Sequence, residues 1–114
     1  MLYIEYEQYK RRYHQVQSQY DELLTKKEKL IAQKKPTDEV NAKLDEFRLL
    51  LNDRKNLLIL KEDELRKSKD SEDIIYRMKY IDKASVQSIR FVVHYCETEV
   101  YRKLGKINKN LKNI

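Results

Sequence analysis

From Leu2 to Leu30 the chain alternates spacings of four and three between its apolar and aromatic residues. The series is Leu2, Tyr6, Tyr9, Tyr13, Val16, Tyr20, Leu23, Lys27 and Leu30. Such a series places one stripe along a helix and predicts a coiled-coil seam, whereas a strand would alternate with period two. Pro36 stops the helix, and Thr37 or Asp38 can cap a new one whose first turn is acidic. The rule then resumes through Val40, Leu44, Phe47, Leu51, Arg54, Leu58, Lys61 and Leu65. Each helix would run about 45 Å at 1.5 Å per residue. A connection of a few residues makes the two antiparallel neighbours.

Three seam positions are cations, and they constrain the register. If the fold-back centres on Thr37, the facing layers are Leu30–Leu44, Lys27–Phe47, Leu23–Leu51, Tyr20–Arg54, Val16–Leu58, Tyr13–Lys61 and Tyr9–Leu65. Each seam cation then meets an aromatic ring, a contact of roughly 0.5–2 kcal/mol. Sliding by a heptad would put the bend near residue 33 or 40, inside a predicted helix. Of the early tyrosines, Tyr6, Tyr9, Tyr13 and Tyr20 lie on the seam and read as core with hydroxyls at the rim; Tyr3 lies off it. A lone two-helix hairpin buries little, and Leu49, Leu50, Leu57, Ile59 and Leu60 add apolar surface beyond the seam. Self-association, or packing on the rest of the chain, is expected.

The polar stretch Lys67-Ser68-Lys69-Asp70-Ser71 separates this arm from the C-terminal third of the chain, with Ser71 placed to cap a helix. Three short helices are predicted at about 72–83, 86–94 and 98–111. Val100, Leu104, Ile107 and Leu111 line one face of the last. Two short helices, a turn of about three residues and a basic helix form the helix-turn-helix pattern. The predicted fold is therefore all-α: an antiparallel two-helix coiled-coil hairpin over 1–68, then a three-helix helix-turn-helix unit over 72–114.

Composition narrows the function. One Gly and one Pro in 114 residues cannot supply the turns of a sandwich, barrel or doubly wound sheet, nor a phosphate-cradling glycine loop. One Cys excludes an internal disulfide, and no Cys/His set has zinc-ligand spacing. His14 and His94 fall in different units without triad partners, so neither an enzyme nor a metal or cofactor site is expected. The net charge of +6 is uneven: residues 1–70 carry 16 basic and 14 acidic side chains, residues 71–114 carry 9 and 5. From Val100 onward Arg102, Lys103, Lys106, Lys109 and Lys112 face no acid, as a phosphate-binding surface requires. The apolar runs Leu49–Leu51, Leu57–Leu60 and Phe91–Val93 are far shorter than the roughly 18 residues that span a bilayer. The first residues do not read as a signal peptide, and a cytoplasmic protein without membrane contact is expected.

The segment Tyr95-Cys96-Glu97-Thr98-Glu99-Val100-Tyr101-Arg102 resembles the helix-turn-helix of sigma factor region 4. More closely, it is similar to phage late-gene transcriptional activators of the RinA/ArpU type, over about residues 72–112. Two residues depart from that pattern. Arg90 replaces an Ala between the helices and must snorkel outward; His94 replaces a turn Gly and requires a turn without positive φ. The resemblance implies a recognition helix entering the DNA major groove, with Glu97, Thr98, Tyr101 and Arg102 reading base edges. Gln87, Ser88, Lys103, Lys106 and Lys109 would hold phosphates. It implies a transcriptional regulator acting on double-stranded DNA. One such unit contacts few base pairs, so a homodimer is expected, joined through the hairpin, whose seam includes Tyr13, Tyr20, Leu23, Phe47, Leu51, Arg54 and Leu58. The rival reading is a coiled-coil adaptor that docks on a host protein such as RNA polymerase, with a degenerate helix-turn-helix.

Overall fold

The computed structural model describes all 114 residues and is entirely helical. Its elements are α1 (Leu2–Ala32), α2 (Asp38–Lys67), α3 (Ser71–Tyr76) continued by a π-helical turn (Arg77–Ile81), α4 (Val86–Val93) and α5 (Glu97–Lys112). The long helices α1 and α2 pack as a hairpin. No helix is long and apolar enough to cross a membrane. Two compact units form, one of residues 9–59 and one of residues 1–8 with 60–114. The boundary therefore falls within both long helices instead of in the polar stretch after residue 67.

In the 9–59 unit the seam is as the spacing requires. Tyr9, Tyr13, Val16, Tyr20, Leu23, Lys27 and Leu30 on α1 are buried or half-buried, as are Val40, Leu44, Phe47, Leu51, Arg54 and Leu58 on α2. Nearly every position between them is exposed. The register differs from the expected one. Arg48 hydrogen-bonds the Tyr20 hydroxyl, and in the other unit Lys61 Nζ lies 3.1 Å from Glu5 Oε2. Both contacts fit layers shifted by one heptad: Leu23 faces Leu44, Tyr20 faces Phe47, Val16 faces Leu51, Tyr13 faces Arg54 and Tyr9 faces Leu58. Arg54 and Lys61 still lie opposite rings, those of Tyr13 and Tyr6, but Lys27 comes to face Val40.

The cause lies at the end of α1. Lys34 takes a left-handed conformation, φ 56°. Its N–H bonds the Ile31 carbonyl at 3.0 Å, and the Lys35 N–H bonds the Leu30 carbonyl at 2.9 Å. This is a Schellman motif, which reverses the chain just past the helix. The reversal thus occurs at Gln33–Lys34, and Lys35-Pro36-Thr37 only leads into α2. Thr37 stands at the N-cap, its carbonyl accepting from the Asn41 N–H at 2.8 Å.

The other unit has its core where the first turn of α1 meets α3. Tyr3, Leu65, Ile75, Ile89, Val100 and Ile107 are fully buried, and Tyr76 nearly so. Tyr3, the tyrosine off the seam, stacks on Tyr76 with centroids 5.4 Å apart, and Tyr6 meets the same ring edge-on at 6.1 Å. Tyr80 extends the cluster, 5.1 Å from Tyr76. Such pairs contribute roughly 0.5–1.5 kcal/mol each beyond the area they bury. Three of the four hydroxyls are hydrogen-bonded: Tyr76 donates to Glu7, Tyr80 to Asn108, and Tyr3 accepts from Asn110 Nδ2 at 2.8 Å. Asp73, 2% exposed, takes the Tyr3 N–H at 3.0 Å and the Ser68 hydroxyl at 2.7 Å. A carboxylate there also suits the positive end of α1.

The short helices are capped by side chains. Asp70, one residue before the expected Ser71, accepts from the Glu72 and Asp73 N–H groups. Ser85 accepts from the Ser88 N–H at 3.2 Å at the start of α4. The first short helix ends at Ile81 instead of about 83, because Lys83 adopts φ 57° and turns the chain. Arg77 donates to the Arg66 carbonyl at 2.9 Å, capping the end of α2.

Two measurements check these points. In a Cys96→Ser background, Leu23→Cys with Leu44→Cys should be bridged within the monomer by a short bismaleimide. Leu23→Cys with Leu51→Cys, about 10 Å further along the axis, should not; the reverse result restores the register centred on Thr37. Burial raises the pKa values of Tyr3, Tyr6, Tyr76 and Tyr80. Their folded-state values lie above the unfolded value of about 10, so this stability is complete below pH 10 and is lost as pH rises beyond it. Melting temperature should fall steeply above pH 10. In a variant with Tyr9, Tyr13, Tyr20, Tyr95 and Tyr101 replaced by Phe, tyrosinate absorbance should rise together with loss of helix, and a tyrosinate signal preceding unfolding in that variant would contradict the buried cluster.

Candidate nucleic-acid interface

α4 and α5 are joined by His94, Tyr95 and Cys96. His94 is left-handed, φ 59° and ψ 35°, with its N–H on the Arg90 carbonyl at 2.8 Å. The turn thus keeps the conformation a glycine would favour, contrary to the expectation that His94 would avoid positive φ. His is among the residues that tolerate this region, at a cost of about 1–2 kcal/mol. Cys96 is the N-cap of α5 but makes no side-chain capping bond. α5 starts at Glu97, one residue earlier than expected, and Glu97 and Glu99 complement the positive end of its dipole. Val100 is fully buried among the short helices, with Leu104 and Ile107 below it on the same face.

This burial decides which side of α5 faces solvent. Glu97, Thr98, Tyr101, Arg102, Gly105, Asn108, Lys109 and Lys112 are exposed. Four residues expected to read bases, Glu97, Thr98, Tyr101 and Arg102, are therefore gathered on the outward side of the first turns. Tyr101 is 55% exposed, a surface residue and not a rim residue of the core. Arg102 lies over Glu99, its Nε 2.9 Å from Oε2. The pair lowers the Glu99 pKa and raises that of Arg102. Being exposed, such a pair is worth little and exchanges readily for another acceptor.

The expected phosphate-binding residues divide. Glu72 is buried, 6% exposed, and a buried carboxylate without counter-ions is costly. Lys106 Nζ stands 2.9 Å and Lys103 Nζ 3.7 Å from Glu72 Oε1, and the pairing raises the Lys106 pKa. Both lysines are thus held against α3, which a count of charges along α5 does not reveal. Lys109 and Lys112 are exposed beyond the pair. Gln87 and Ser88 are exposed at the start of α4; Ser88 belongs to the cap, and Gln87 Oε1 accepts from Arg90 at 2.8 Å. Arg90 is half-buried, its guanidinium turned out to Gln87 and its Nε buried without a partner.

One feature of this surface went unassigned in the sequence. Phe91 is 83% exposed and lines a shallow groove of about 280 Å³ with Gln87, Arg90 and Tyr95. The signal was available: Phe91-Val92-Val93 crowds three apolar residues into one turn of an eight-residue helix, which can bury one side only. No group of three or more His, Cys, Asp or Glu side chains gathers to hold a metal ion.

Gly105 sits in the middle of the outward face, and a Cβ there would meet nothing within 4 Å. Gly105→Ala should therefore stabilise the protein by about 0.5–1 kcal/mol through helix propensity, read by chemical denaturation. A loss of stability would show a close neighbour at that position. No protein-family model, curated protein or solved structure matches this chain.

Proposed function

We propose that the chain is a small transcriptional regulator that binds duplex DNA through the outward face of α5, two copies acting together. The observation that carries this reading is the exposed stripe of Thr98, Tyr101, Arg102, Lys109 and Lys112, which holds no acid after Glu99. It comes after a turn whose left-handed His94 suits a helix-turn-helix. The likeness of Tyr95–Arg102 to phage activators of the RinA/ArpU type supports the same reading. In it, Arg102 leaves Glu99 for guanine, Thr98 and Tyr101 contact neighbouring base edges, and Lys109 and Lys112 meet phosphates. Lys103 and Lys106 contribute field more than contact, because Glu72 holds them.

A second reading is favoured by Phe91, whose exposure and groove suit a protein side chain better than a phosphate. In that reading the chain is an adaptor on a host protein such as RNA polymerase.

Fluorescence anisotropy on DNA selected from the surrounding genome separates the two. Arg102→Ala should cost about 1–3 kcal/mol on the preferred sequence and relax discrimination at one base. Lys109→Ala should weaken all sequences alike and lower the salt slope by about one. Lys106→Ala should instead lower thermal stability, by leaving Glu72 with less counter-charge. DNA binding indifferent to Arg102 and Lys109, with function lost on Phe91→Ser, would establish the adaptor.

A further inference from the structure

Between Lys83 and Cys96 the chain carries two cations, Lys83 and Arg90, and no acid. α4 lies within this stretch, and an eight-residue helix that buries Ile89 completely must present its opposite side. Gln87 and Phe91 stand there, one turn apart. Phe91 is 83% and Val92 46% exposed. Phe91 forms one wall of the groove of about 280 Å³, and Gln87, Arg90 and Tyr95 form the others.

Arg90 supplies a second, independent observation. Arg48, Arg66, Arg77 and Arg102 each have a carboxylate within 4 Å. The Arg90 guanidinium has instead a neutral acceptor, Gln87 Oε1 at 2.8 Å, and its Nε is buried with no partner. Of the acids bracketing the stretch, Asp82 is held by Arg66 and Arg77, and Glu97 is exposed on the first turn of α5. A half-buried cation without a counter-ion is poorly compensated, and this one lies at the edge of exposed apolar surface.

We infer that this groove is the docking site for an acidic segment of a partner protein, an Asp or Glu beside a bulky apolar side chain. The apolar side chain lies against Phe91, between Gln87 and Tyr95. The carboxylate displaces the Gln87 amide and forms the bidentate pair that a guanidinium favours. Aromatic and Arg side chains are the common anchors of protein contacts, a ring for area and a fork for orientation. A nucleic-acid phosphate would satisfy Arg90 equally but would leave Phe91 and Val92 in water. The inference rests on the second reading above for the protein contact at Phe91, adds the chemistry of that partner, and stands apart from DNA binding by α5.

The chain has no Trp, so a short acetylated peptide with one Trp among glutamates reports its own binding. Titrating the full chain into this peptide should blue-shift the Trp emission, with a half-point below a millimolar. The Arg90 Nε–H and Phe91 amide signals should move together in nuclear magnetic resonance spectra. Phe91→Ser and Arg90→Gln should each weaken binding about tenfold with unchanged helical circular dichroism. The same peptide with every Glu replaced by Gln should bind the wild type about tenfold more weakly and leave the Arg90 signal in place. Equal binding of the two peptides overturns the acidic partner while keeping a protein contact at Phe91, and binding of neither overturns both. Binding that both variants leave intact lies elsewhere and overturns the inference. Arg90 and Phe91 signals that move with duplex DNA and not with peptide assign the face to nucleic acid. Signals that move on dilution alone assign it to a second copy, and either result overturns the inference.

Discussion

The buried carboxylate of Asp73 is the contact on which the 1–8 and 60–114 unit depends. It accepts the Tyr3 N–H, which α1 cannot use internally, and the Ser68 hydroxyl from the stretch after α2. Its own backbone N–H is held by Asp70. One side chain thus ties the first turn of α1, the end of α2 and the start of α3. The stacked rings of Tyr3 and Tyr76 close over the junction and keep water out. An unpaired carboxylate at this depth would be costly, so the three segments satisfy one group together. The short helices α3, α4 and α5 bury too little by themselves to be stable alone; the first turn of α1 completes their core.

Charge in this unit obeys the same logic. Glu72 is buried one residue before Asp73, and its counter-ions come from α5 as Lys103 and Lys106. The basic character of α5 is therefore shared between two duties. One side neutralises an internal acid, and the other, carrying Arg102, Lys109 and Lys112, faces outward. Lys103 is largely covered where it meets Glu72, whereas Lys106 remains about half exposed between the two sides. The exposed pair Glu99–Arg102 holds the guanidinium near the first turn at little energetic cost.

The hairpin shows how periodicity and register differ as information. The four-three spacing was legible at each seam position, because burial along a helix is a local consequence of 3.6 residues per turn. The register was not. Lys27, Arg54 and Lys61 can lie opposite rings or aliphatic residues with small differences in energy, so their preference is weak. What decides is the backbone at Lys34, a non-glycine residue in the left-handed region, where the eye is drawn to Pro36. His94 is a parallel case: the turn was legible, but its positive φ was not, since nothing local marks a histidine for that conformation.

The amino-acid sequence by itself determined the helices, their order, the seam, and the outward first turns of α5, all consequences of spacing within one helix. Tertiary structure alone decided the heptad register, the place of Tyr3 at the centre of a core, and the assignment of Lys103 and Lys106 to Glu72. These depend on which segments distant along the chain meet, as Tyr3 and Asp73 do, and on which buried group most needs a partner. Spacing along a chain carries no record of that choice. It is made by desolvation, once the segments come together.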